Sequence, residues 1–202
     1  MNPFYIICRS FVLSILKILF GIKRYGLENI PQEGSFIVAS NHSSYLDPLL
    51  IGVTFPYELA FAAKKELFKI PIIGMIIRNL NSIPINRKQL DLSSLKAMIN
   101  KVQKEKKSLV IFPEGTRKKE NSLKDGKRGV GFLVQKISVP VIPAYISNTD
   151  NKLFSFLRIK KMCVHYGKPI HMEQTEENKK EFSKIILERT LTAIKQIKES
   201  SN

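Results

Sequence analysis

Short apolar runs that end at polar residues dominate the pattern of this sequence. Residues 36–40 and 108–112 are mostly apolar, which is typical of strands buried on both faces of a sheet. The first run stops at Asn41 and His42, and the second stops at Pro113. Further strands are predicted at 83–85, 139–146 and 162–166.

Helical periodicity separates these runs. Asp47 and Pro48 indicate a helix start, with Asp47 as the N-cap and Pro48 at the first helical position. Strands that alternate with helices predict an α/β fold, a mixed and largely parallel sheet flanked by helices. The predicted helices cover residues 48–55, 91–105, 129–137 and 176–198.

Polar clusters follow three of the predicted strands, at residues 41–47, 86–87 and 113–117. Ligands of parallel α/β sheets bind beyond the carboxyl ends of the strands. Because parallel strands bring these ends to one edge, we expect the three clusters to face a single cleft.

Residues 4–22 contain 14 apolar residues of 19 and would span about 28 Å as a helix. Arg9 and Lys17 share one polar stripe on that helix, which favours an amphipathic helix lying in the membrane interface. A spanning helix would bury two cations at a cost of several kcal/mol each, and the alternative is packing on the protein's own core. We expect residues 1–24 to form a membrane-associating helix and residues 25–202 an α/β domain.

The charge of the chain is strongly unbalanced. It has 33 Lys and Arg against 17 Asp and Glu, a net charge of +16 over 202 residues. This surplus predicts an anionic partner, although a lysine-rich composition could also produce it. Residues 101–128 carry ten basic and four acidic residues, with only Phe112 as an aromatic. Nucleic-acid binding is therefore disfavoured, because it would interleave aromatic side chains with the basic ones.

Cysteine and histidine are scarce. Cys8 and Cys163 lie far apart and match no metal-binding spacing. With three histidines in all, no metal site is predicted.

His42 and Asp47 are the candidate catalytic pair. A turn between them can bring the carboxylate to the imidazole, where it fixes the tautomer and stabilises the imidazolium. The other ring nitrogen is then free to take a proton from a hydroxyl near neutral pH.

Residues 114–117 are candidates for binding a phosphate monoester. Glu114-Gly115-Thr116-Arg117 supplies backbone donors at a turn, a hydroxyl and a guanidinium. Glu114 would repel a phosphate directly, so it is expected to orient Arg117 or to contact the remainder of the substrate. Arg87 follows its own strand and could reach the same anion.

These motifs resemble those of the glycerolipid acyltransferases, notably the 1-acylglycerol-3-phosphate O-acyltransferase (lysophosphatidic acid acyltransferase, PlsC) type. The resemblance rests on four blocks in family order across residues 36–146, and residues 62–67 resemble the stretch between the first two. The blocks are His42 and Asp47 with four residues between them, 83–87, Phe112–Arg117 and 141–144.

The resemblance implies an enzyme of phospholipid biosynthesis. His42 would be the general base with Asp47 as its partner. The acceptor, lysophosphatidic acid, would be acylated at its sn-2 hydroxyl by an acyl thioester of acyl carrier protein or coenzyme A. The expected substrate-binding residues are Lys65, Arg87, Glu114, Gly115, Thr116 and Arg117.

The resemblance also implies no permanently bound cofactor, no metal and no covalent acyl-enzyme. The expected location is the cytoplasmic face of the cell membrane, bound peripherally or monotopically to an anionic surface. Two alternatives stay open: an acyltransferase for another lysophospholipid or for glycerol 3-phosphate, and a non-catalytic basic module that binds membranes.

Overall fold

Seven strands form one sheet within the residues that the computed structural model describes, namely 2–86, 92–115, 128–150, 160–171 and 181–201. The order across the sheet is β1-β7-β6-β2-β5-β3-β4. The five strands from β6 to β4 are parallel, whereas β7 is antiparallel to β6 and carries β1 parallel to itself. The mixed, largely parallel sheet predicted from the sequence is confirmed. The strands are β1 (Lys23–Tyr25), β2 (Ile37–Ser40), β3 (Leu59–Lys64), β4 (Ser82–Ile85), β5 (Ser108–Ile111), β6 (Val141–Ser147) and β7 (Cys163–Tyr166).

Helices cover both faces of this sheet. Side chains alternate along a strand, so Val38 of β2 joins one apolar cluster while its neighbours Ile37 and Ala39 join the other. The first cluster packs against α1 and α2, and the second packs against α4, α5 and α6. The helices are α1 (Pro3–Phe20), α2 (Asp47–Thr54), α3 (Pro71–Asn79), α4 (Leu92–Gln103), α5 (Arg128–Ile137) and α6 (Phe182–Ser200), with short 3-10 helices at Leu27–Asn29 and Lys65–Lys69.

Two strands have no counterpart among the predicted elements. β1 is a short exposed edge strand with the sequence Lys23-Arg24-Tyr25, and it shows no apolar alternation. β3 is rich in alanine, which favours helix, yet it pairs with β4 on one side and β5 on the other. Pairing between two strands outweighs such local preferences.

The N-terminal helix packs on the protein and also exposes apolar residues. Tyr5 and Leu16 are buried, and Arg9 donates through Nε to the carbonyl oxygen of Val53 in α2 at 3.2 Å. The predicted polar stripe is therefore not a single solvent-facing surface, because a carbonyl of α2 binds one of its cations. On the outer side Phe11 and Ile18 are 66% and 68% exposed. By length and composition α1 is also able to cross a membrane.

Candidate active site

The loop after β2 is fixed to the sheet by Asn41. Its side-chain oxygen accepts from the backbone N–H of Ile146 at 2.8 Å, and its amide nitrogen donates to the carbonyl oxygen of Ile146 at 2.9 Å. These two side-chain bonds hold the residue that follows Ser40 against β6, where the backbone pairing of β2 with β6 ends. The chain therefore leaves the sheet at a defined point, and His42 follows immediately.

Asp47 is wholly buried beneath that loop and accepts four hydrogen bonds. Its Oδ2 accepts from His42 Nδ1 at 2.9 Å and from the backbone N–H groups of Ser43 and Ser44, both at 2.7 Å. Its Oδ1 accepts from the Thr149 hydroxyl at 2.7 Å. A buried carboxylate is tolerated only when paired and hydrogen-bonded, and these four donors meet that requirement.

The N-cap predicted at Asp47 is wrong. Asp47 is the first residue of α2, Leu46 occupies the cap position, and no side chain caps the helix. The carboxylate turns back to the preceding loop because His42, Ser43 and Ser44 present their donors there.

The contact with Asp47 assigns the roles of the two His42 ring nitrogens. An ionised carboxylate only accepts hydrogen bonds, so Nδ1 carries the proton and Nε2 holds the free lone pair. The imidazole is 14% exposed, which leaves it partly open to a substrate. This is the arrangement that a general base requires.

Phe112 places the third motif beside the imidazole. Its ring stacks on that of His42, with centroids 4.2 Å apart and planes inclined by 22°. The chain then turns at Gly115, whose φ of +68° suits glycine and whose N–H donates to the Phe112 carbonyl oxygen at 2.9 Å. Glu114 is buried within this turn and Gly115 is exposed.

The structure describes only some of the remaining candidate residues. Lys65 is exposed directly after β3, at the same edge of the sheet as His42. The predicted substrate-binding residues Arg87, Thr116 and Arg117 lie outside the described residues, and so does most of the lysine-rich stretch 118–128. Among the described residues, the clusters after β2 and β5 do share one site, as expected.

Thr149 is a functional candidate that sequence reasoning missed. It is buried, it donates to Asp47, and its hydroxyl also lies 3.2 Å from that of Ser43. It lies more than a hundred residues from Asp47 along the chain. The available signal was its position just past the carboxyl end of β6, the strand next to β2.

Cys163 is poorly suited to act as a nucleophile. Burial raises the pKa of its thiol, and the group donates to the Lys161 carbonyl oxygen at 3.4 Å. A raised pKa keeps the sulfur protonated, whereas the thiolate is the reactive form.

Comparison with known proteins assigns the family. The family model described as Acyltransferase matches residues 21–147, which extend from the end of α1 to the end of β6. This chain belongs to the acyltransferase family. It is an enzyme, and the match includes His42, Asp47 and the turn at Glu114 and Gly115.

Several acyltransferases of known activity are similar to this chain. It is 33% identical to a 1-acyl-sn-glycerol-3-phosphate acyltransferase of Bacillus subtilis, over 83% of this chain and 82% of the relative. It is 29% identical to an enzyme of the same name from Saccharomyces cerevisiae, over 91% of this chain and 63% of the relative.

A solved acyltransferase structure supports the fold. The crystal structure of the 1-acyl-sn-glycerophosphate (LPA) acyltransferase PlsC from Thermotoga maritima matches with a TM-score of 0.71 and 28% identity. The match covers 95% of this chain and 79% of that one.

Proposed function

We propose that this acyltransferase transfers a fatty acyl group from an acyl thioester to the sn-2 hydroxyl of lysophosphatidic acid, giving phosphatidic acid. The observation that carries the proposal is the His42 imidazole, held by the buried Asp47 carboxylate and stacked on the Phe112 ring. The names of the relatives support the same acceptor, since the enzymes from Bacillus subtilis and Saccharomyces cerevisiae are both 1-acyl-sn-glycerol-3-phosphate acyltransferases.

The geometry supports a direct transfer. The acceptor oxygen forms a bond to the thioester carbonyl carbon while its proton passes to His42 Nε2. Asp47 stabilises the imidazolium that results. The tetrahedral intermediate then breaks its carbon–sulfur bond, and the imidazolium returns the proton to the sulfur as the thiol leaves. No acyl group is carried by the protein in this scheme.

The acceptor phosphate is assigned to residues that follow β3, β4 and β5 in the sequence. In this proposal Arg87, Arg117 and Lys65 neutralise the phosphate charge, and Gly115 and Thr116 donate hydrogen bonds to its oxygens. Guanidinium groups bind phosphate oxygens in pairs. Burial of Glu114 within the turn fits an orienting role better than direct contact with the substrate.

The acyl donor is a thioester of acyl carrier protein or of coenzyme A, both of which are anionic and suited to a chain of charge +16. We place the enzyme on the cytoplasmic face of the membrane, held there by the outer face of α1 and by attraction to anionic lipids.

A thiol-release assay tests this function. Purified protein with an acyl thioester and lysophosphatidic acid should release free thiol and form phosphatidic acid. His42→Ala should reduce the rate by about 10²- to 10⁴-fold, since that is the usual contribution of a positioned base.

The matched control is His171→Ala, which removes an exposed histidine remote from the dyad in sequence and should leave the rate unchanged. Circular dichroism should show that both variants are folded. Normal turnover by His42→Ala would overturn the assignment of the base.

A further inference from the structure

A second apolar surface lies on residues 64–79, which comprise the end of β3, the 3-10 helix Lys65–Lys69 and α3 (the 64–79 segment). Ile72 and Met75 are 70% and 56% exposed. Such a contiguous group is unusual on a surface that faces only water, and it marks an interaction site. The other large apolar side chains exposed in the segment are Leu67, Ile70, Ile73 and Ile76.

The segment is rigidly built beneath this surface. Gly74 is buried, and a Cβ at that position would lie 2.5 Å from the carbonyl oxygen of Phe68. Arg78 donates to the same carbonyl at 2.8 Å, and its guanidinium lies 5.7 Å from the centre of the Phe68 ring. The inner side of α3 is thus bound to the 3-10 helix, and its aliphatic side chains are directed outward.

The rim of the surface is basic. The segment contains Lys64, Lys65, Lys69 and Arg78 against the single acid Glu66, a balance of +3. All four cations are exposed. The backbone N–H of Glu66 and then the neighbouring lysines lower the pKa of its carboxyl. Aliphatic side chains within a basic rim match the interface of an anionic lipid leaflet, which offers hydrocarbon below and phosphates above.

One end of the 64–79 segment lies at the edge of the sheet that carries His42, and the other lies near the start of α1. It begins at the carboxyl end of β3, the edge of the sheet that carries His42. It ends beside Asn81, which donates to Glu58 Oε2 at 3.2 Å, while Glu58 Oε1 accepts the backbone N–H of Asn2 at the start of α1. One carboxylate therefore joins the end of α3 to the beginning of α1, the other helix with an exposed apolar face.

We propose that the 64–79 segment is a second membrane-docking surface, which inserts its aliphatic side chains into an anionic leaflet while its basic rim binds lipid phosphates. The part of this proposal that concerns acceptor delivery depends on the proposed function: a surface that starts at the edge of the active site would let a lysolipid reach His42 without crossing water. The docking itself does not depend on the reaction.

Tryptophan fluorescence can test the docking directly. The chain has no Trp, so Ile72→Trp creates a full-length protein with a single reporter on α3. Vesicles of phosphatidylcholine with phosphatidylglycerol should shift its emission to the blue, and brominated lipid acyl chains should quench it. Phe132→Trp is the matched control, because Phe132 is an exposed apolar residue of α5, a helix outside the 64–79 segment. Its emission should not change.

A second pair of variants tests the basic rim. Lys64→Gln with Lys69→Gln should weaken binding to anionic vesicles by about 30-fold, as expected for two cations near a charged surface. Lys184→Gln with Lys195→Gln removes two exposed cations of α6 and should change binding much less. An Ile72→Trp reporter that is neither shifted nor quenched while the protein co-floats with vesicles would overturn the proposal, as would a change in oligomeric state that accounts for the emission shift.

Activity measurements separate this proposal from the proposed function. Ile72→Asn with Met75→Asn should reduce turnover of lysophosphatidic acid embedded in vesicles at least about tenfold, yet leave turnover of a short-chain, water-soluble acceptor intact. If the double variant loses no more turnover on the embedded lysolipid than on the water-soluble acceptor, the delivery step alone is overturned. If the wild-type protein acylates neither acceptor, the proposed function fails, and the fluorescence result still decides the docking.

Discussion

Two buried carboxylates at opposite edges of the same sheet perform different tasks. Asp47 lies at the carboxyl edge and Glu58 at the amino edge, directly before β3. Asp47 accepts from a histidine, two backbone N–H groups and a hydroxyl. Glu58 accepts from the backbone N–H of Asn2, the Asn81 amide and the Lys107 ammonium. Both are therefore satisfied, as buried charges must be.

The difference lies in what their donors can do. The donors to Glu58 come from the start of α1 and from the residues that precede β4 and β5, so Glu58 joins structural elements. One donor to Asp47 is an imidazole with a free nitrogen at a partly exposed face. A buried carboxylate therefore contributes to stability where its donors are fixed, and to catalysis where one donor can exchange a proton with a substrate.

Among the substitutions considered, a change at Asp47 should have the largest effect on the rate of catalysis. In Asp47→Asn the amide oxygen can still accept from the donors of the loop, and the amide nitrogen can donate to the Thr149 hydroxyl, so the fold should persist. The negative charge that stabilises the imidazolium is lost. We expect kcat to fall about 10²- to 10⁴-fold, and the free energy of unfolding to fall by only about 2 kcal/mol because a charged acceptor becomes neutral, as measured by thiol release and urea unfolding.

Glu58→Gln is the matched control, because it removes the charge of the other buried carboxylate. Its activity per folded molecule should remain within about twofold of wild type, since no substrate-facing group depends on Glu58. Full activity of Asp47→Asn would contradict the division of tasks, and so would a loss of activity in Glu58→Gln that exceeds its loss of folded protein.

The sequence predicts the surroundings of Asp47 better than those of Glu58. The apolar runs before Asn41 and Pro113 locate β2 and β5, and their neighbouring polar residues locate His42 and Asp47. Both inferences use local patterns, which act within a few residues. The predicted strands at 83–85, 139–146 and 162–166 likewise correspond to β4, β6 and β7 within two residues.

Long-range partners were not accessible to such patterns. Thr149 reaches Asp47 from just beyond the end of β6, and Lys107 reaches Glu58 from the loop before β5. Neither residue belongs to a motif, because each is recruited by the order of strands in the sheet rather than by spacing along the chain. The same limit explains Arg9, whose contact with α2 depends on how α1 is placed on the sheet.

Substituting Thr149 should lower the rate of catalysis less than substituting Asp47 does. Thr149→Val keeps the shape of the side chain but removes the donor to Asp47 Oδ1. The lost bond to a charged acceptor is worth about 1.5–3 kcal/mol, part of which is expected to appear as a less well-positioned imidazole. We expect kcat to fall about tenfold with KM almost unchanged, as measured by steady-state kinetics. Thr149→Ser restores the hydroxyl and should recover most of the rate, whereas a loss caused by packing would appear in Thr149→Ser, which lacks the methyl group, rather than in Thr149→Val.

Substituting Glu58 should have the smallest effect on catalysis. Its clearest effect should be on how the free energy of unfolding depends on pH. Burial alone would raise the pKa of this carboxyl, but hydrogen bonds from Lys107, Asn2 and Asn81 outweigh it and lower the pKa below its ordinary value of 4.5. The unfolded chain therefore takes up a proton at higher pH than the folded protein does. The stabilisation is complete above pH 4.5 and is lost as the pH falls through the lower folded pKa.

Glu58→Gln should remove that contribution. At neutral pH we expect its free energy of unfolding to be about 2 kcal/mol lower than that of wild type, because a charged acceptor is replaced by a neutral one. As the pH falls below 4.5 and through the lower folded pKa, the two proteins should converge, since protonated Glu58 is also neutral. Urea denaturation at a series of pH values measures the difference, and Glu199→Gln, at an exposed position of α6, should follow the wild-type curve. A constant difference between Glu58→Gln and wild type at every pH would show that packing, rather than charge, is what Glu58 contributes. Its likeness to Asp47 would then be one of burial alone.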